Sequence, residues 1–245
     1  MTIFSFEIWW ITIAPTWYGL MYAVSFLVAL ILIQKQFSEK QTDTLFFATI
    51  LGVILGGRFG YVLFYNLGYY LENPLEILMP WKGGMSFHGG ALGVIIAWYI
   101  ASQKIKKSFL TVSDKLVWIV PIGLFFGRIG NYINGELMGL PGYDWFLARK
   151  INGTSYFPTP LIEAFLEWIL LFAILFWKRK KIDYPGQLGV WFLGGYGMMR
   201  FCVEFFRTPD VQIGYVIGWW MTLGHVFSLC MIFIATIFHF SLKKK

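Results

Sequence analysis

Three arginines, Arg58, Arg128 and Arg200, lie inside long apolar stretches of the chain. A guanidinium at the centre of a bilayer costs about 2.5–3.5 kcal/mol on insertion scales, so such a residue needs a partner, an interface to snorkel to, or a function. Tyr196, Arg200 and Glu204 follow i, i+4, i+8 and share one stripe of a helix. Arg128 and Asn131 are i, i+3. Clustered arginines repel unless carboxylates such as Glu204 or Glu136 neutralise them, or unless an anion does. The planar guanidinium fork suits phosphate, and the commonest phosphate at membrane depth is a lipid headgroup. His88 lies in Gly83-Gly84-Met85-Ser86-Phe87-His88-Gly89-Gly90. Flanking glycine pairs permit close backbone approach, and an imidazole serves as a base near neutral pH. A lone histidine in an apolar segment is also a common structural residue. His225 and His239 have no comparable context and read as structural. There is no H-E-x-x-H, no metal-spaced His/Cys cluster, no P-loop and no G-x-S-x-G, nor the paired-Asp pattern of metal-dependent lipid phosphotransferases. Metal and acyl-serine chemistry are not expected.

The elements that carry these residues must be membrane helices. Hydrophobic residues make up 58% of the 245-residue chain and charged residues 13%, too little charge to coat a soluble globule. Seven apolar segments run about 17–34, 44–65, 85–102, 115–133, 160–177, 186–206 and 218–240. Hydrocarbon offers a bare backbone no hydrogen-bond partner, and ten-residue alternation is lacking, so helices rather than a barrel are required. The expected fold is all-α: one polytopic transmembrane domain over 1–245 with seven helices. A small irregular external head or lid is expected at 135–159, and Phe4–Pro15 as an aromatic interfacial lead-in. Cys202 and Cys230 read as small buried hydrophobes.

Loop charge orients the spans. Lys35, Lys40, Lys104, Lys106, Lys107, Lys115, Lys178, Arg179, Lys180, Lys181, Lys243, Lys244 and Lys245 fall on one side, against Lys82, Arg149, Lys150 and Arg207 on the other. The positive-inside rule then places the N-terminus outside and the C-terminus in the cytoplasm. It also accounts for the net charge of +7 without nucleic acid. In this orientation Tyr18, Arg58, Tyr61, Tyr65, His88, Arg128, Asn131, Arg200 and Glu204 all fall in the outer half of the bilayer. Gly52, Gly56 and Gly60 at four-residue spacing, with Gly127, Gly130, Gly194, Gly195 and Gly197, read as close-packing positions that hold the arginines.

The stretch Gly127-Arg128-Ile129-Gly130-Asn131-Tyr132-Ile133-Asn134-Gly135-Glu136-Leu137-Met138-Gly139 resembles the signature of the bacterial prolipoprotein diacylglyceryl transferases. The resemblance extends to Trp17-Tyr18-Gly19-Leu20-Met21-Tyr22, Gly56-Gly57-Arg58-Phe59-Gly60-Tyr61, Gly83–Gly90 and Gly194-Gly195-Tyr196-Gly197. It continues through Arg200–Asp210, including Val203-Glu204-Phe205-Phe206-Arg207. Where the family often has His-Pro-Ser/Thr-Gln-Leu-Tyr-Glu, the chain reads Phe157-Pro158-Thr159-Pro160-Leu161-Ile162-Glu163.

That resemblance implies transfer of a diacylglyceryl group from phosphatidylglycerol to the lipobox cysteine of a prolipoprotein. A thioether forms and glycerol phosphate leaves, with no metal or soluble cofactor. The partners it implies are phosphatidylglycerol, a prolipoprotein lipobox peptide and membrane lipids, with no nucleic acid. The implied location is the bacterial cytoplasmic membrane, with the site toward its outer leaflet. In that scheme Arg128 and Arg200 meet the phosphate, and His88 is the candidate base or orients the headgroup. Tyr18, Arg58, Asn131, Glu136, Gly139, Tyr196, Glu204 and Arg207 complete the substrate contacts. Reference pKa values of about 8.5 for a thiol and 6.5 for an imidazole make that proton transfer uphill by about 2.7 kcal/mol, which adjacent arginines offset. The same arginines would also serve a non-enzymatic anionic-lipid flippase or receptor. A proton-coupled solute transporter fits less well, because carboxylates do not line a path across the membrane.

Overall fold

The structure is a computed structural model that describes residues 2–8, 11–209 and 214–244. Asp210, in one of the resembling blocks, and Lys245, in the basic tail, lie outside the described residues. A hairpin of β1 (Phe6–Ile8) and β2 (Ile11–Ile13) leads into α1 (Trp17–Gln34) and α2 (Glu39–Tyr65). The short α3 (Leu67–Glu72) and two 3-10 turns precede α4 (Phe87–Lys104). Next, α5 (Phe109–Leu116) passes through a 3-10 turn into α6 (Val120–Asn134). A second hairpin, β3 (Arg149–Ile151) with β4 (Thr154–Tyr156), is followed by α7 (Thr159–Ala164), a π-helical stretch (Phe165–Phe172) and α8 (Ala173–Lys178). The chain ends with α9 (Gln187–Glu204), a third hairpin of β5 (Tyr215–Ile217) and β6 (Met221–Thr222), and α10 (Leu223–Lys243).

The chain is therefore mostly helical, with three two-stranded hairpins that the all-α expectation did not include. Among the described residues five helical runs are long and apolar enough to cross a membrane: Trp17–Gln34, Glu39–Tyr65, Phe109–Asn134, Thr159–Lys178 and Leu223–Lys243. Helices also occupy the other two expected segments, but α4 and α9 are not among the five. Their sequences explain this: α4 carries His88, three glycines and Ser102-Gln103-Lys104, and α9 carries Gln187, Arg200 and Glu204 among four glycines. Large apolar side chains such as Phe64, Phe233 and Phe240 face outward. Around a membrane helix that surface meets lipid rather than water. For the same reason Cys202 and Cys230, expected to be buried, are exposed and free.

The described residues divide into two compact units, one from 1–29 and 114–245, the other from 30–113. In the second, α2 and α4 pack backbone to backbone. A Cβ built on Gly52 would fall 2.8 Å from the Gly93 carbonyl oxygen. One on Gly56 would overlap the Gly89 oxygen, and one on Gly60 would lie 2.6 Å from the Gly89 Cα. Such glycine contacts bring two helices close enough for van der Waals packing to hold them in lipid. The indole of Trp98 adds a hydrogen bond to Thr49 Oγ1 at 2.8 Å. By contrast, a Cβ on Gly127 would meet nothing within 4 Å, so that glycine is not the packing position its sequence context indicated. Gly56→Leu is thus expected to lower the thermal unfolding midpoint in detergent sharply, whereas Gly127→Ala leaves it in place. Equal midpoints for the two variants would overturn the packing assignment.

Candidate active site

In the first unit, helix ends bring charge together. Arg128 lies in the second half of α6, Glu163 near the end of the short α7 that opens the helical run Thr159–Lys178, and Arg200 and Glu204 in the last turns of α9. Because α7 runs back from the end that α6 reaches, these positions fall at one level. Glu163 is 1% exposed and is the hub. Its Oε2 pairs with Arg128 at 3.1 Å, while its Oε1 pairs with Arg200 and lies 3.7 Å from Arg207. Arg200 also pairs with Glu204, so the i, i+4 stripe read from the sequence is formed. Burial, followed by the like charge of Arg200, pushes the pKa of Arg207 down, and Glu163 and Glu204 oppose that. Three guanidiniums thus share two buried carboxylates.

Around this group the other expected residues take definite places. Gly135 ends α6 in a left-handed conformation, φ 73°, which turns the chain at once and presents Glu136. Glu136 accepts from Asn131 Nδ2 at 3.3 Å and from Asn134 Nδ2 at 3.2 Å. The Tyr18 ring lies directly on α6, since a Cβ on Gly130 would fall 2.7 Å from its Cδ2, and its hydroxyl is 3.4 Å from that of Tyr22. Tyr196 is buried and stacks on Phe192. Gly139 has no room for a side chain: it donates to the Phe157 carbonyl at 2.9 Å and forms an antiparallel bridge with Arg207. Leu140 donates to the Phe206 carbonyl at 3.1 Å and Thr208 to that of Met138 at 3.0 Å. The segment after α6 is thereby tied to the segment that carries Arg207.

In the second unit, Arg58 has work other than the anion contact expected of it. It is buried, and its fork donates to the carbonyls of Glu76, Ile77, Gly83 and Gly84, with Tyr70 stacked at 5.0 Å. Those carbonyls belong to the irregular stretch between α3 and α4, which offers acceptors that a regular helix would keep for itself. Arg58 therefore ties this loop together. His88 is exposed in the first turn of α4, where Ser86 caps the helix by accepting from Gly89 N–H at 3.2 Å.

Two features went unforeseen. Glu163 drew no role in the sequence, although a carboxylate in an apolar span carries the same insertion cost that singled out the arginines. His225, read as structural, joins a hydrogen-bond chain that ends on Glu204 through Thr222. Among the described residues no group of three or more His, Cys, Asp or Glu side chains has the arrangement to hold a metal ion.

Residues 5–241 match the profile of the prolipoprotein diacylglyceryl transferase family. A phosphatidylglycerol–prolipoprotein diacylglyceryl transferase of Hydrogenovibrio crunogenus is 45% identical over 233 residues, covering 89% of this chain and 86% of that protein. The protein of the same name from Aliivibrio salmonicida is 44% identical over 229 residues, 90% of this chain and 81% of its own length. That from Bordetella parapertussis is 41% identical over 240 residues, 91% and 92%. A match over nearly the whole chain, to the family profile and to these relatives alike, places this membrane protein in the prolipoprotein diacylglyceryl transferase family.

Proposed function

We propose that the chain transfers the diacylglyceryl group of phosphatidylglycerol to the lipobox cysteine of a prolipoprotein, and that the ionic cluster around Glu163 binds the phosphate. The observation that carries this is the cluster itself: Arg128, Arg200 and Arg207 converge on two buried carboxylates, Glu163 and Glu204, which hold their guanidiniums together. Such planar forks suit the paired oxygens of a phosphodiester monoanion. In the reaction the thiolate sulfur bonds to the glyceryl carbon and the bond from that carbon to the phosphate oxygen breaks. Negative charge grows on the departing glycerol phosphate, where pre-aimed donors stabilise the transition state more than the bound lipid. Arg128 and Arg200 take that role, Glu163 and Glu204 set their geometry, and Arg207 adds to the field. Asn131 and Glu136 contact the glycerol hydroxyls, with Tyr18 and Tyr196 completing the polar shell and Gly139 keeping the backbone close. His88 accepts the thiol proton.

The setting we propose is one transmembrane domain of seven helices in the bacterial cytoplasmic membrane. Its N-terminus lies outside and its C-terminus in the cytoplasm, with 135–159 as an external head and the site toward the outer leaflet. The deciding experiment is mass spectrometry of a lipobox peptide incubated with the purified protein and phosphatidylglycerol vesicles. A diacylglyceryl mass gain confined to the cysteine peptide, absent from a Cys→Ser peptide and accompanied by glycerol phosphate, is the expected result. Lipid binding without that product would defeat the transferase reading. The same assay run across pH tests the base: His88→Gln should flatten the acidic limb of the rate profile, and an unchanged profile removes His88 from proton transfer.

A further inference from the structure

Glu204 does not hold Arg200 unaided. Its carboxylate sits in a pocket formed by the turn from β6 into α10, Thr222-Leu223-Gly224-His225. Thr222 Oγ1 donates to Glu204 Oε1 at 2.7 Å. A Cβ built on Gly224 would overlap the carboxylate carbon and both its oxygens, so only glycine leaves room for it there. Thr222 is the N-cap of α10 and forms a reciprocal capping box with His225. The His225 backbone N–H donates to Thr222 Oγ1 at 3.4 Å, and the Thr222 backbone N–H donates to His225 Nδ1 at 3.2 Å.

This reciprocity fixes a direction. With Nδ1 accepting the Thr222 N–H, the ring proton is on Nε2. The hydroxyl of Thr222 accepts one backbone N–H and has a single proton to give. His225 Nδ1 lies 3.1 Å away, but the carboxylate is the stronger acceptor, so the proton points at Glu204. His225 is 1% exposed and wedged edge-on among Phe201, Phe205 and Trp220, with ring centroids 5.0, 4.5 and 5.7 Å away. Its ring cannot swing away without unpacking that aromatic cluster. A rigid ring therefore fixes a cap hydroxyl, the hydroxyl fixes a carboxylate, and the carboxylate fixes a guanidinium.

We propose that Thr222, Gly224 and His225 form a positioning device for the transferase, aligning Arg200 through Glu204 with the departing phosphate. The proposal rests on the phosphate role given to Arg200 above. Helix capping alone would need only Thr222 and His225; Gly224 and the aim of the hydroxyl serve Glu204.

Steady-state kinetics on full-length protein in phosphatidylglycerol vesicles test this. Gly224→Ala and Thr222→Val should each lower kcat, Gly224→Ala by about 100-fold, the scale of a 1 Å misplacement at a reacting centre. KM for phosphatidylglycerol and the unfolding midpoint should move little. Thr222→Ser should restore most of the rate lost in Thr222→Val. His225→Gln, whose side-chain oxygen can complete a capping box, should outperform His225→Leu. Arg200→Ala is run beside them. If Arg200→Ala is inactive while Gly224→Ala and Thr222→Val turn over normally, the positioning device is wrong and the phosphate site stands. If Arg200→Ala is itself active, the phosphate role falls and the proposal with it. A fall in Gly224→Ala that tracks loss of folded protein, with Thr222→Val at full rate, also overturns it.

Discussion

Replacing Glu163 with alanine is expected to reduce turnover by about three orders of magnitude and to destabilise the protein more than any other single change in the site. One buried carboxylate here faces Arg128, Arg200 and Arg207. Removing one partner of a buried ion pair costs about 3–5 kcal/mol, because the charge left behind remains desolvated. In this cluster three guanidiniums lose a shared partner. Glu204, the other carboxylate of the cluster, is tied to Arg200. The arginines must move apart, and displaced donors no longer meet the phosphate: losing one such donor costs about 10²–10³ in rate. Glu163→Gln separates the two effects. The amide fills the same space and should keep most of the folded stability, but it lacks the charge that orders the guanidiniums, so turnover should still fall about 100-fold on the same scale. The measurement is the initial rate of peptide lipidation beside thermal unfolding in the same membrane mimic. Glu163→Gln at the wild-type rate would show that the hub has no part in catalysis.

What was legible in the sequence divides along a physical line. Helix periodicity placed Tyr196, Arg200 and Glu204 on one stripe, and insertion cost marked the buried arginines; both follow from local geometry and solvent. Helices lie in the expected segments, and five runs among the described residues are long and apolar enough to cross a membrane, because apolar length is a local property too. What escaped depends on which surfaces meet. Arg58 was grouped with the other arginines by depth alone, yet its donors go to carbonyls of the loop before α4. Gly127 adjoins Arg128 and reads as a packing glycine, but its missing side chain faces open space. Gly224, with no signal of its own, is filled by a carboxylate from twenty residues earlier in the chain. Glu163 lay within view: the reasoning that made three arginines suspicious applies equally to a carboxylate in an apolar span, and opposite charges at such cost call for each other.

Arg128→Ala should abolish steady-state turnover while leaving the protein folded, the reverse of the balance expected for Glu163. Arg128 pairs with Oε2 of Glu163, and in its absence the carboxylate keeps Arg200 and Arg207 on Oε1. No buried charge is stranded, and the unfolding midpoint should move far less than in Glu163→Ala. The rate should fall by at least about 10²–10³-fold, as for a donor that acts on charge developing in the transition state. Arg128→Lys should recover little, since an ammonium restores the charge but not the planar fork that spans two phosphate oxygens. A cycle with Arg200→Ala completes the test. Two arginines gripping one phosphate act as a unit, so the double variant should be much less impaired than the product of the single losses. Single-turnover measurements on lipid-loaded protein isolate the chemical step. A near-normal rate for Arg128→Ala in that assay would remove Arg128 from the phosphate, and strict multiplication of the two losses would assign the arginines to separate tasks.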